Sequence, residues 1–309
     1  MADQRKYAVV TGGSNGIGLE LARQFASNGY DVLIAAEDEG HLAKAKQDLA
    51  ATGATIKIHA ADLATEQGVR SLCDALAGRK IDAIAINAGV GLGGKFIETD
   101  LDRELKMVDL NCRGAVQLAK HVAKDMVARK DGKILFTSSI AGTMPDPFEA
   151  VYGATKVFLR WFGEALREEL KADGVTVTVL MPSTTETNFF KRADMMDTAA
   201  GTMKKDDPAV VAKAGLEALI AGKDRIVPTV KNKLMAGIAD TLDDVWGAKV
   251  HRGLSEPGTA KHSSGGSSSV MPLVAGVAAL GAGVALFAHW RGAQQDDASP
   301  KTDASVAVN

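Results

Sequence analysis

Short apolar runs alternate with helically spaced apolar positions along most of the chain. Residues 7–11 form an unbroken apolar run that ends in glycines, as suits a strand covered on both faces. Ile17, Leu21 and Phe25 then recur at helical spacing within 16–28, and Gly29 closes that helix. The alternation continues with a strand at 31–36, a helix at 41–51, a strand at 55–60, a helix at 66–76 and a strand at 81–87. A long periodic stretch at 102–129 leads into a strand at 133–137. A second long helix at 151–173 stops at Gly174, before a β-branched strand at 175–181. A helix at 208–221 and a short strand at 225–228 complete the pattern. Strands alternating with helices pair in parallel through crossovers. The predicted fold class is therefore α/β, a Rossmann-like doubly wound parallel sheet flanked by helices in a single domain.

The pattern changes near residue 251. Residues 1–250 read as the folded domain, 251–269 as a flexible Ser/Gly-rich linker, 270–290 as a hydrophobic segment and 291–309 as a polar tail. No charge falls within 270–288, and a helix there, at about 1.5 Å per residue, would just span a hydrocarbon core. Trp290 and Arg291 suit interfacial anchors, and Ala275, Ala279 and Gly283 form a small-residue ladder. Membrane association through 270–290 is the expectation. A soluble docking helix or a plain tail stays open, because alanine and glycine add little hydrophobicity.

Composition narrows the function classes. The chain has 309 residues, 46% hydrophobic and 24% charged, with a formal net charge of −2. That is ample for one core and offers no basic surface for nucleic acid. Its two cysteines, Cys73 and Cys112, lack disulfide or metal-ligand spacing, so no metal is expected and a reducing, cytoplasmic setting fits. No apolar leader precedes the first strand, so Sec-type secretion is not expected.

Two constellations carry chemistry. The first is Thr11-Gly12-Gly13-Ser14-Asn15-Gly16-Ile17-Gly18, between a strand and a helix. Its glycines let backbone N–H groups approach a pyrophosphate, and the helix N-terminus favours that charge. The second is Ser139, Tyr152 and Lys156. Tyr152 and Lys156 lie four apart and share a helix face. A nearby ammonium should lower the phenol's pKa and fit it for proton transfer at neutral pH. Ser139 would hydrogen-bond the substrate oxygen; Ser138 is its rival.

These residues, with Asn87-Ala88-Gly89 and Asn111, stand in the order and spacing of the short-chain dehydrogenase/reductase family, which the chain resembles over roughly residues 5–230. The resemblance implies that Asp62, followed by Leu63, bonds the adenine amino group. It implies that Asn87, Ala88 and Gly89 support the adenine-ribose side, that Lys156 also holds the nicotinamide ribose, and that Asn111 keeps a water between Lys156 and solvent. Pro182, Ser183 and Thr187 would face the nicotinamide, with Ser183 in place of the family's usual glycine. The same resemblance implies a homodimer or homotetramer through the two long helices. NADP-using members place Arg or Lys just past the second strand. This chain has Ala36 and then Glu37, which repels a 2′-phosphate and can accept bonds from ribose hydroxyls. NAD is favoured, and NADP stays open if Arg5 or a distant lysine intervenes.

In the family, the stretch after the sixth strand caps the substrate. Here it offers Phe189, Phe190, Met195 and Met196, and Met144 and Phe148 stand nearby in sequence. Such a pliable apolar wall suits an apolar carbonyl or secondary alcohol. The expected function is hydride transfer between a nicotinamide cofactor and that substrate, with Tyr152 as acid/base. A cofactor-binding regulator and a membrane-tethered scaffold without turnover are the alternatives.

Overall fold

In the computed structural model, residues 5–229 and 243–260 are described. Seven parallel strands form one sheet in the order β3-β2-β1-β4-β5-β6-β7. They are β1 Lys6–Thr11, β2 Tyr30–Ala36, β3 Ile56–Ala60, β4 Ala83–Ile86, β5 Gly132–Thr137, β6 Val175–Leu180 and β7 Arg225–Ile226. The helices between them are α1 Gly16–Ser27, α2 Glu39–Leu49, α3 Glu66–Leu76, α4 Leu101–Val108, α5 Ala115–Arg129 and α6 Ala150–Leu170. After β6 come two single-turn helices, α7 Phe189–Arg192 and α8 Ala199–Thr202, then α9 Pro208–Ile220 and α10 Asp244–Ser255.

The unbroken apolar runs exist because both sheet faces are covered. Ala8 and Val10 of β1 point into a core shared with Leu21 and Phe25 of α1, Leu42 of α2 and Leu216 of α9. Val9, between them, points into the opposite core with Leu72 of α3, Leu118 and Met126 of α5 and Leu159 of α6. Alternation across the pleat sends neighbouring residues to opposite layers. The order of strands reverses between β1 and β4, and the cleft beyond their carboxyl ends is where such sheets bind ligands.

The predicted helix 102–129 is one continuous rod, but it is not α-helical throughout. Asp109–Gly114 forms a π-turn between α4 and α5. Such wide turns carry an extra residue and often mark functional sites. The C-terminal boundary also differs from the sequence reading. Residues 251–255, assigned above to a linker, are the last turn of α10. The chain then folds onto the segment after β6, where Ala260 N donates to Asp197 O (2.9 Å) and Ala199 N donates to Thr259 Oγ1 (3.0 Å). Composition missed this because His251, Ser255 and Thr259 spend their polar groups inside the fold rather than on water. The hydrophobic segment 270–290 and the tail 291–309 lie outside the described residues. Among the described residues no helix is long and apolar enough to cross a membrane.

Candidate active site

The glycine turn joins β1 to α1. Thr11 is fully buried and its hydroxyl ties two strand ends together, accepting from Asn87 N (2.9 Å) and Ala88 N (3.0 Å). Asn87 Nδ2 donates to Thr11 O (3.1 Å). Gly12 has φ +65, and a Cβ there would lie 2.9 Å from Ala88 Cα, so only glycine fits. Gly16 (φ +55) lies under Thr187, and Gly18 leaves no room between α1, the Gly12 carbonyl and Asn87 Nδ2. Asn15, at the N-cap of α1, makes no side-chain cap bond; its amide donates to the Ser14 hydroxyl instead (3.2 Å). The first-turn N–H groups of α1, at Ile17 and Gly18, thus keep their positive end for a ligand. Gly18→Ala should destabilise the chain by about 2 kcal/mol and weaken nicotinamide binding at least tenfold. Thermal melts and cofactor fluorescence titration check both.

Tyr152, Lys156 and Asn111 are all buried. Tyr152 and Lys156 stand one turn apart on α6, with Lys156 Nζ 5.5 Å from the centre of the Tyr152 ring and donating to Thr137 O (3.1 Å). Asn111 sits in the π-turn. Its Nδ2 donates to Val90 O (3.0 Å) and Thr155 Oγ1 (2.9 Å), and its Oδ1 accepts from Val90 N (3.0 Å). Gly89 fills the gap between them, since a Cβ there would lie 3.1 Å from Asn111 Oδ1 and 3.2 Å from Lys156 Nζ. Ser138 donates to the Lys156 carbonyl (2.7 Å) deep in the core, so its hydroxyl is committed to the backbone of α6. Ser139 caps the turn Ile140–Thr143, accepting from Ala141 N (3.1 Å) and donating to Pro182 O (3.5 Å), and its hydroxyl stands close enough to the Tyr152 phenol to favour its ionised form.

The electrostatics differ from the sequence expectation. Burial pushes the Tyr152 phenol well above its ordinary value, and the charge of Glu149 adds to that; the Ser139 contact only partly offsets them. Burial also lowers Lys156 to about 8. The ammonium lies over the ring face rather than beside the hydroxyl, so it does not bring the phenol down. Tyr152 is held protonated.

Ser183 is half-buried, with its carbonyl accepting from Thr185 Oγ1 (2.8 Å), and the Pro182 carbonyl accepts from Ile140 N (2.9 Å). Leu63 is buried in the core below α5 with its carbonyl against Gly114, so its side chain faces away from the cleft. Asp62 accepts from Ala64 N (3.0 Å) and pairs with Lys106 (3.1 Å), which also reaches Glu37 (3.3 Å). Lys106 of α4 is a cation that sequence reasoning missed, because nothing local ties it to Glu37. Arg192 is another: from α7 it donates to Asn15 Oδ1 (3.3 Å) at the glycine turn. Arg5, considered above as a phosphate reader, pairs with Asp31 (3.2 Å) at the amino end of β1, the edge opposite the cleft.

The segment after β6 lies over the site as a lid. Phe189 touches the Tyr152 ring (5.2 Å between centroids) and rests on Gly91, and Met195 rests on Gly93. Phe190 and Met195 do not wall a pocket; they form a small core of the lid itself with Ala193 and Ala200. Met196 is 51% exposed. Met144 and Phe148 pack against α10, where Met144 meets Gly247 and the Arg252 guanidinium lies 5.7 Å from the Phe148 ring. Of the six apolar residues expected to contact substrate, Phe189 is the one set against Tyr152.

The family model for short chain dehydrogenases matches residues 6–197. This chain belongs to that family. The 3-dehydrosphinganine reductase TSC10B of Arabidopsis thaliana is 31% identical over 226 residues, which are 69% of this chain and 67% of that protein. A short-chain dehydrogenase/reductase from Burkholderia phymatum in complex with NAD is 25% identical with a TM-score of 0.70, covering 76% of this chain and 92% of that one. One from Sphingobium yanoikuyae in complex with NADPH superposes with a TM-score of 0.69 at 23% identity, covering 77% and 96%, a likeness of fold. As in the sequence reading, the short-chain dehydrogenase motifs fall at the carboxyl ends of β1, β4, β5 and β6 and the start of α6. The π-turn, Lys106, Arg192 and α10 add what no motif announced.

Proposed function

We infer that this short-chain dehydrogenase reduces the carbonyl of an apolar substrate with NADH, and runs the reverse oxidation by the same groups. The observation that carries the reading is the convergence of half-buried Ser139 with buried Tyr152, Lys156 and Asn111 in one cluster. A cofactor fits the residues present. Gly12 and Gly18 let the turn pack tightly against Asn87 and Ala88, and the N-terminus of α1, left without a side-chain cap, would hold the phosphates. Nicotinamide, when bound, supplies or accepts the hydride. Tyr152 gives the substrate oxygen a proton, and a phenol held protonated suits reduction. Ser139 donates to the same oxygen. Lys156, buried beside the ring, can return a proton to the phenol, while Asn111 braces Val90 and Thr155 around it.

NADH is favoured by charge. Glu37, Asp62 and Lys106 leave a net negative site where a 2′-phosphate would lie, so the extra phosphate is repelled. Glu37→Arg should move the ratio of NADPH to NADH affinity at least tenfold towards NADPH, read by separate fluorescence titrations. A wild-type chain that binds NADPH more tightly would defeat this assignment.

The substrate class rests on Phe189 over Tyr152 and on a relative named for 3-dehydrosphinganine reduction. These favour a long-chain 3-oxo compound. The test is a panel of 3-oxoacyl thioesters, 3-oxo lipids and steroid ketones, followed by nicotinamide absorbance. Cofactor binding without turnover on any of them would turn the reading towards a regulator. A second copy of the chain is the proposed partner: Leu101, Leu105 and Val108 of α4 and Phe158 and Trp161 of α6 are exposed apolar residues on the two helices that the family resemblance assigned to the interface.

A further inference from the structure

We propose that α10 is a clamp on the catalytic tyrosine, and that His251 and Ser255 are positioning residues acting on Tyr152 through Asp146 and Glu149. This rests on Tyr152 being the acid/base. The loop between the Ser139 turn and α6 is the lever. Asp146 lies flush against Gly153, the residue after Tyr152, so close that a Cβ at Gly153 would overlap the Asp146 side chain. Glu149 stands at the N-cap position of α6, one turn before Tyr152 on the same side of the helix, and makes no side-chain cap bond. Between them Phe148 takes φ +66, a left-handed conformation that is strained for a bulky residue and persists only where the surroundings enforce it.

Those surroundings come from α10. His251 and Ser255 lie four apart on one face. His251 Nδ1 touches Asp146 Oδ1, and Ser255 Oγ donates to Glu149 Oε2 (2.7 Å) and lies 3.3 Å from His251 Nδ1. Arg252 lies over Phe148, and Gly247 admits Met144. On the other side, Gly94 N donates to the Phe148 carbonyl (2.8 Å). Asp146 and Glu149 are 7% and 6% exposed. Two carboxylates buried this deeply are costly unless paired; α10 supplies Ser255 to Glu149 and the His251 contact to Asp146 Oδ1, while Asp146 Oδ2 has no hydrogen-bond partner among the described residues. Without it the Asp146 and Glu149 charges would draw water into the loop that fixes Tyr152.

Asp146, Glu149 and His251 are also spaced closely enough for a metal ion. The direct contact of His251 with Asp146 suits a shared proton as well as a metal site, and the metal content of the purified chain distinguishes the two.

The test uses the full chain with His251→Ala, the milder Ser255→Ala, and His251→Gln, whose amide can still donate to Asp146. The three tyrosines of the chain make the phenol readable without any substrate. Subtracting the alkaline absorbance titration of Tyr152→Phe isolates Tyr152, so this arm stands even if no turnover is found. In His251→Ala the Tyr152 phenol should ionise at a lower pH than in the wild type. Its kcat should fall at least tenfold, with NADH affinity within twofold and partial recovery in His251→Gln. An unchanged Tyr152 titration and unchanged kcat overturn the proposal. So does an equal loss of NADH binding and turnover in both alanine variants, which would make α10 a general prop of the fold. About one equivalent of bound zinc or manganese in the purified chain, with chelation reproducing His251→Ala, overturns it in favour of a metal.

Discussion

Tyr152→Phe should lower turnover about a thousandfold and leave NADH affinity within twofold. The substitution removes one oxygen from a residue that is 8% exposed and keeps its ring against Phe189. Packing is preserved, and the lost oxygen gives up only its polar contact with Ser139. General acid catalysis by a placed group is worth about 10²–10⁴ in rate, which sets the expected size. The cofactor cradle lies at β1 and β4, so binding should survive. Single-turnover reduction in a stopped-flow instrument, with fluorescence titration of NADH, measures both. A variant that retains a tenth of wild-type turnover would mean that another group, or water, protonates the substrate.

The second large effect is a fall in stability as pH rises. Burial, then the charge of Asp146, raises Glu149 to about 7, against contributions from Ser255 and His251 that lower it. Burial raises Asp146 as well, partly offset by His251. His251 would be lowered by burial, but Asp146 and Glu149 reverse that and hold it above its ordinary value. All three groups have folded values above their unfolded ones. The folded chain therefore binds more protons than the unfolded chain, so the stabilisation is complete below about 4.5 and is lost as pH rises through about 7. Glu149 alone is worth on the order of 3 kcal/mol. The melting midpoint should drop between about pH 5 and about pH 8, as this linkage predicts. Glu149→Gln keeps an acceptor for Ser255 and removes the titration, so its midpoint should vary less over that window. Parallel wild-type and variant curves would refute the linkage.

Most of the sheet was legible because its strands are covered on both faces. Ala8, Val9 and Val10 all need burial, and that makes a run no surface strand would show. The Ser139, Tyr152 and Lys156 constellation was legible because local spacing on β5 and α6 sets its geometry. The π-turn was not, since an extra residue within six barely disturbs a helical period. The direction of the Tyr152 pKa was not legible either, because burial is a property of the finished fold and outweighs the lysine four residues on. The lid methionines misled for a related reason. An apolar residue near a site reads the same whether it faces ligand or seals the lid, and Met195 does the latter. His251 was hidden by distance from Asp146 in sequence and by the Ser/Gly-rich composition that begins just after it.

Arg5 marks a division of labour along the strands. It bonds the Ala26 carbonyl at the end of α1 and the Tyr30 carbonyl and Asp31 at the start of β2, and Lys80 bridges Asp82 and Asp131 (2.9 and 3.2 Å) at the amino ends of β4 and β5. None of these groups reaches the cleft. Selection on the two rims of this sheet can therefore proceed separately. The amino rim is free to accumulate charge changes that adapt the protein to heat or salt, while the carboxyl rim is varied for new substrates, and gains made at one rim need not be repaid at the other.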